Sequence, residues 1–123
     1  MISSDHTQNE VTLTQLGWIT SASEAELFGV AGGILLGDGL GFGGRDDEQN
    51  GSFARDWFDA RIEGFRAAIC TSELFRGLGG DLANDILTLV PVLAPGLDGN
   101  ALLAAIMAGI VLRRGIAQFC ALD

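Results

Sequence analysis

Apolar residues recur at helical spacing along much of this chain, and no stretch alternates as a half-buried strand would. The clearest stripe is formed by Phe58, Ile62, Phe65 and Ile69, with charged residues on the opposite face. Ser52 precedes the stripe as a candidate N-cap, so the pattern predicts a helix over residues 52–70. A shorter apolar stripe near the N-terminus, in residues 13–19, predicts a further helix.

Two apolar segments near the C-terminus are joined by a short connection rich in glycine and proline. Asp81 is a candidate N-cap for the first, and Pro91 is expected to kink or end it. The second, residues 101–114, ends in two arginines, which suit the negative end of a helix dipole. Each segment is shorter than the roughly 20 residues that a membrane span requires. They predict a buried helical hairpin.

The expected fold is therefore all-α, a small bundle of four to five helices with a C-terminal helical hairpin. We divide the chain into a leader or N-terminal helix (1–33), a glycine-rich acidic linker (34–51) and a helical domain (52–123). The expected core residues are Phe58, Ile62, Phe65, Ile69, Leu87, Leu103, Ile106 and Ile110.

Residues 21–33 combine a helix start with glycines that a solvent-exposed helix disfavours. Ser21 or Ser23 can cap the helix. Small residues then recur every fourth position, which would let a second helix approach closely, although a glycine-rich chain can produce this spacing by chance. The candidate helix-packing residues are Gly29, Gly33, Gly37 and Gly41, with a weaker set at Ala101, Ala105 and Gly109.

The net charge of the chain limits the classes of macromolecule that it is expected to bind. The 123 residues contain 7 basic and 16 acidic side chains, which gives a net charge of -9. Nucleic acid is disfavoured because its phosphates are repelled. A basic protein partner, self-association or simple solubility is consistent with the acidic surface.

Cys70 and Cys120 are the only cysteines, and two interpretations remain open. They are either buried free thiols or a disulfide, which would suit an exported protein. Two cysteines and the distant His6 do not form a metal site.

Catalytic and ligand motifs are incomplete. The stretch GLGFGG at residues 39–44 has the spacing of a dinucleotide-binding turn but is followed by acidic residues. Asp46, Glu48 and Asn50 match calcium-loop positions, but Trp57 replaces the closing glutamate. With one histidine and no lysine or tyrosine, we expect no enzyme, no cofactor and no small-molecule substrate.

One motif in residues 22–33 resembles the double-glycine leader of class II bacteriocins and microcins. It consists of Ser23, Glu26, Leu27, Val30, Gly32 and Gly33. The resemblance implies recognition by the peptidase domain of an export transporter and cleavage after Gly33, with both cysteines in the mature chain. The polar N-terminus lacks the basic and apolar regions of an ordinary secretory signal.

Two hypotheses for function follow. The first is a non-catalytic, secreted bacteriocin-like precursor that acts by self-association or by insertion into a target membrane. The second is an intracellular acidic helical interaction module, such as an immunity protein, adaptor or assembly subunit, that binds a basic protein. The first expects a trimmed chain with oxidised cysteines, and the second an intact chain with free thiols.

Overall fold

The computed structural model describes residues 11–36, 47–70 and 78–120, and these form seven α-helices without a β-strand. The all-α prediction is confirmed, with more helices than the four to five expected. The helices are α1 (Leu13–Ser21), α2 (Glu24–Leu35), α3 (Asp47–Ala60), α4 (Ile62–Cys70), α5 (Leu82–Leu93), α6 (Ala101–Arg114) and α7 (Ile116–Cys120), with a 3-10 turn at Ala94–Leu97 after α5.

Helix α6 is the centre of the fold and packs against α1, α2, α5 and α7. Every residue from 103 to 111 is buried, as expected for a helix that is apolar on all faces. Asn100 caps its start by accepting a hydrogen bond from the backbone N–H of Leu103 at 2.9 Å. Gly115 ends the helix with a φ of +98°, a conformation that favours glycine.

Helices α5 and α6 form the predicted C-terminal hairpin. Pro91 lies inside α5, which ends two residues later and continues as the 3-10 turn. The buried face of α5 carries Ile86, Leu89 and Leu93. Leu87 was expected in the core but is 44% exposed, because it lies on the solvent-exposed side of α5 with Asn84 and Pro91.

The predicted helix over 52–70 is two helices, and the first begins at Asp47. The break falls at Arg61, whose N–H bonds the carbonyl of Phe58 in a tight i to i-3 turn. Phe58, Phe65 and Ile69 are buried as expected, whereas Ile62 beside the break is half-buried. The other predicted core residues, Leu103, Ile106 and Ile110, are also buried.

One hydrophobic core runs through all described segments, from Leu16 and Ile19 on α1 to Phe119 on α7. Helix α2 packs most extensively against α3 and also contacts α6. Residues 34–35 belong to α2 and 47–51 to α3, so both ends of the predicted linker are helical. Its middle, residues 37–46, lies outside the described residues, as do residues 1–10, His6 among them. In the described ranges, no helix is long and apolar enough to span a bilayer.

Candidate functional site

The N-terminus of α2 is held by Ser23 and Glu26, two of the residues in the leader-like motif. The Ser23 hydroxyl accepts a hydrogen bond from the Glu26 N–H at 3.1 Å, and the Glu26 carboxylate accepts one from the Ser23 N–H at 2.8 Å. This reciprocal capping box, which forms at Ser23 rather than at Ser21, satisfies two free N–H groups at the helix start. Both side chains therefore have a structural role in the folded chain.

The middle of α2 is buried on one side. Leu27 and Phe28 are completely buried, whereas Val30 is 41% exposed. The Phe28 ring packs edge-on against Phe58 of α3, with 5.8 Å between centroids. The apolar positions of the motif thus divide between the core and the surface.

The glycines of α2 form a close crossing with α3. A methyl group on Gly32 would overlap the backbone carbonyl of Asn50 and lie 2.9 Å from its Cα. One at Gly51 would lie 3.9 Å from the Cα of Gly29, so these two glycines face one another across the crossing. Gly33 is half-buried. Two backbones can approach this closely only where side chains are missing.

The other candidate packing residues have different positions. Gly37 and Gly41 lie outside the described residues. Ala101, Ala105 and Gly109 on α6 are all buried. A methyl group on Gly109 would lie 3.0 Å from Cγ2 of Ile19 and 3.7 Å from Leu27, so α6 presents a small residue where α1 and α2 meet.

Cys70 and Cys120 form a disulfide, with their Cα atoms 5.6 Å apart. It joins the last residue of α4 to the last residue of α7. Both cysteines are half-buried at the edge of the core. The bond fixes α7, a helix of only five residues, against α4.

A groove lies beside this disulfide, between α4, α7 and the end of α6. Its volume is about 310 Å³. Two arginines, one amide and two apolar side chains line it: Ile62, Arg66, Arg114, Gln118 and Phe119. We call this the arginine groove.

Arg114 is oriented by contacts on α2 and α3. Its guanidinium donates to both carboxylate oxygens of Glu24, at 3.3 and 3.1 Å. It also lies over the Phe58 ring, 5.1 Å from the centroid, and 5.8 Å from that of Phe28. Packing against two rings and a bidentate partner holds the guanidinium plane in place.

Arg66 is oriented by α7. Its Nε donates to the carbonyl oxygen of Phe119 at 3.0 Å, and its guanidinium lies 5.6 Å from the centre of the Phe119 ring. Its Nη1 donates to Glu63 at 3.0 Å. The Glu63 side chain is 84% exposed, so this pair is only weakly held.

The arginine groove could not be predicted from the sequence, in which Arg66 lies on the charged face of one helix and Arg114 at the end of another. Neither position signals that the two side chains share a surface. The two arginines line the same groove because α7 folds back after Gly115. The direction in which α7 folds back is set by tertiary packing. The positive φ of Gly115 is a feature that helix-end patterns can suggest, but it does not specify the direction of the chain.

Neither the calcium-loop pattern nor the dinucleotide-binding pattern forms a site within the described residues. Glu48, Asn50 and Gly51 are part of helix α3, so they do not have the geometry of a calcium loop. Asp46 and the GLGFGG stretch at 39–44 lie outside the described residues. No group of three or more histidine, cysteine or acidic side chains in the described ranges could hold a metal ion.

Comparison with known proteins gives no relative for this chain: no family model, curated protein or solved structure matches it.

Proposed function

We propose that the chain is a non-catalytic helical interaction module and that α2 stays in its working form. The observation that carries this proposal is the crossing of α2 and α3, where Gly32 lies against the backbone of Asn50. The crossing explains why a glycine is needed at position 32 without invoking cleavage by a protease. A helix that contributes Leu27 and Phe28 to the core would be costly to remove from the folded protein.

The surface of the module suits a basic partner. The net charge is -9, and Glu26, Asp56 and Asp59 are exposed on α2 and α3. Complementary charge accelerates association with a basic partner. The disulfide supports a location outside the reducing cytosol. The hypothesis from the sequence placed this module inside the cell.

Binding of a labelled lysine-rich peptide, followed by fluorescence anisotropy, tests this proposal. We expect binding that weakens as salt is raised and that falls severalfold in an Asp56→Asn, Asp59→Asn double variant. A peptide with glutamine in place of lysine is the control. Equal binding of the two peptides, or no binding of either, would argue against a basic partner.

A second candidate is the bacteriocin-like precursor cleaved after Gly33. The disulfide favours it, because both cysteines lie beyond that bond and an exported chain would keep them oxidised. Cleavage would have to precede folding, since Gly32 is buried in the helix crossing and a protease needs an extended backbone. The mature chain would then act by self-association or membrane insertion. A secreted chain that begins at Ile34 is the result that would favour this candidate.

A further inference from the structure

The arginine groove combines two arginines with an apolar lining on an acidic protein. Of the 7 basic residues in the chain, Arg66 and Arg114 line it. Each arginine already has a carboxylate partner, Glu63 for Arg66 and Glu24 for Arg114. A ligand would therefore be bound through the remaining guanidinium donors and by displacing the exposed Glu63, and not through a net positive charge.

Within the described ranges, both guanidinium groups have a terminal nitrogen that donates to no protein acceptor. Arg66 uses Nε and Nη1, and Arg114 uses Nε and Nη2. In the described part of the chain, no protein acceptor bonds Nη2 of Arg66 or Nη1 of Arg114. Gln118 adds an amide to the same lining. These donors match the oxygens of a carboxylate, the group that arginine binds with paired hydrogen bonds.

The apolar part of the lining comes from Ile62, which is half-buried, and from Phe119, which is 5% exposed. An aliphatic side chain next to a carboxylate would contact both. The groove is open to solvent, and its volume of about 310 Å³ is at the small end for pockets that enclose a small molecule. This shape suits a chain that passes across the surface.

The groove is preformed because each wall is fixed independently. Arg114 is held by Glu24 and the Phe58 ring, and α7 is tied to α4 by the Cys70–Cys120 disulfide. A rigid site loses less entropy when a ligand binds. Only Glu63 would have to move, and its side chain is almost fully exposed.

We propose that the arginine groove binds a short acidic peptide segment of a partner protein, with a carboxylate on Arg66 and Arg114 and an adjacent aliphatic side chain on Ile62 and Phe119. Glu63 acts as an internal competitor for Arg66. This site is separate from the acidic surface assigned to a basic partner, and it can be tested independently of it.

The test is fluorescence anisotropy with the disulfide-bonded full chain and a fluorescein-labelled hexapeptide that carries two glutamates around a leucine. Its twin with two glutamines is the first control. We expect the glutamate peptide to bind at least about tenfold more tightly than the twin, because charge-assisted bonds to arginine would be lost.

Two variants assign the binding to the groove. Arg66→Gln should weaken binding of the glutamate peptide about tenfold, and Glu63→Gln should strengthen it about threefold by freeing Arg66. Asp98→Asn is the matched control for Glu63→Gln, because it removes one negative charge at the other end of α6, about 20 Å away. Should Arg66→Gln fail to fold by circular dichroism, the Glu63→Gln and Asp98→Asn pair decides the matter.

Three results would overturn the proposal. The first is equal binding of the glutamate and glutamine peptides. The second is an equal gain in affinity for the glutamate peptide in Asp98→Asn and Glu63→Gln. The third is displacement of the peptide by inorganic phosphate at a concentration equal to that of the peptide. The first excludes carboxylate recognition, the second shows an effect of net charge alone, and the third shows a general anion site.

Discussion

Gly32 and Gly64 show how differently the same residue behaves in two helices of this protein. Gly32 is buried where α2 crosses α3, and an added methyl group would overlap the Asn50 backbone. Gly64 lies within α4 and is exposed, and in the described part of the chain a methyl group there would contact nothing beyond the nearby backbone of its own helix. One glycine is required by packing, whereas the other only weakens its helix.

Replacing each of these glycines with alanine should therefore change stability in opposite directions. Gly32→Ala should lower the free energy of unfolding by about 2–3 kcal/mol, because backbone atoms must shift to admit the methyl group. Gly64→Ala should raise it by up to about 1 kcal/mol through helix propensity. Urea unfolding followed by circular dichroism measures both. A stable Gly32→Ala variant would show that the crossing is looser than described.

Asp85 is the buried acidic residue of the described core, with 4% exposure. Its two carboxylate oxygens accept hydrogen bonds from the N–H groups of Gly79 and Gly80, at 3.0 and 2.9 Å. Asp81, the predicted cap of α5, occupies the N-cap position but makes no side-chain cap bond. Asp85 thus fixes the approach of the chain to α5, a role that one-dimensional capping patterns do not reveal.

Asp85→Asn should lower the free energy of unfolding by about 1–3 kcal/mol, since an amide has one acceptor oxygen and would place an N–H donor against a second donor. Asp81→Asn is the matched control and should change stability by less than about 0.5 kcal/mol. Thermal or urea unfolding of the two variants gives the comparison. Equal stability of both would contradict the assigned role of Asp85.

Among the helices, the disulfide links the end of α4 covalently to the end of α7, across 50 residues of chain. In the chain-entropy model such a link stabilises the fold by about 4 kcal/mol. The Cys70→Ser, Cys120→Ser double variant should lose about that much free energy of unfolding. Dithiothreitol should reproduce the loss in the natural chain and have no effect on the variant. Insensitivity of the natural chain to reductant would contradict a structural disulfide.

Helix identity was predictable where apolar residues repeat at regular spacing, as at Phe58, Phe65 and Ile69 or along α6. Helix ends were less predictable. The start of α3 at Asp47 lies in a polar, glycine-containing stretch whose helical state depends on packing against α2. Leu87 was misplaced because α5 is apolar on more than one face, so hydropathy alone cannot say which face meets α6.

The crossing of α2 and α3 could not be placed from the sequence. Gly29 of the predicted stripe faces Gly51, but the closer contact, with the backbone of Asn50, is made by Gly32, which lies outside the stripe. The partner backbone also lies in a segment interpreted as linker. The arginine groove was not predicted at all, since it combines residues of three helices. Sites of this kind depend on contacts between distant parts of the chain, which spacing within one segment cannot show.

At the scale of the whole molecule, α1 and α2 share one core with α3 to α7. Ile19, Leu27 and Phe28 are completely buried, and Arg113 of α6 donates to the carbonyl of Thr20 at 2.9 Å. A chain limited to residues 34–123 would expose the apolar surfaces that these groups cover. It should bind a hydrophobic dye and unfold without a cooperative transition. Cooperative unfolding like that of the full chain would show that α1 and α2 are dispensable.

In the proposed function, residues 24–33 belong to the finished protein, and intact-mass analysis of the protein from its producing cells and their medium is the decisive test. The proposed function predicts, in non-reducing conditions, a chain that retains these residues and carries the Cys70–Cys120 disulfide. A mature form that begins at Ile34 would contradict the claim and would favour the cleaved precursor.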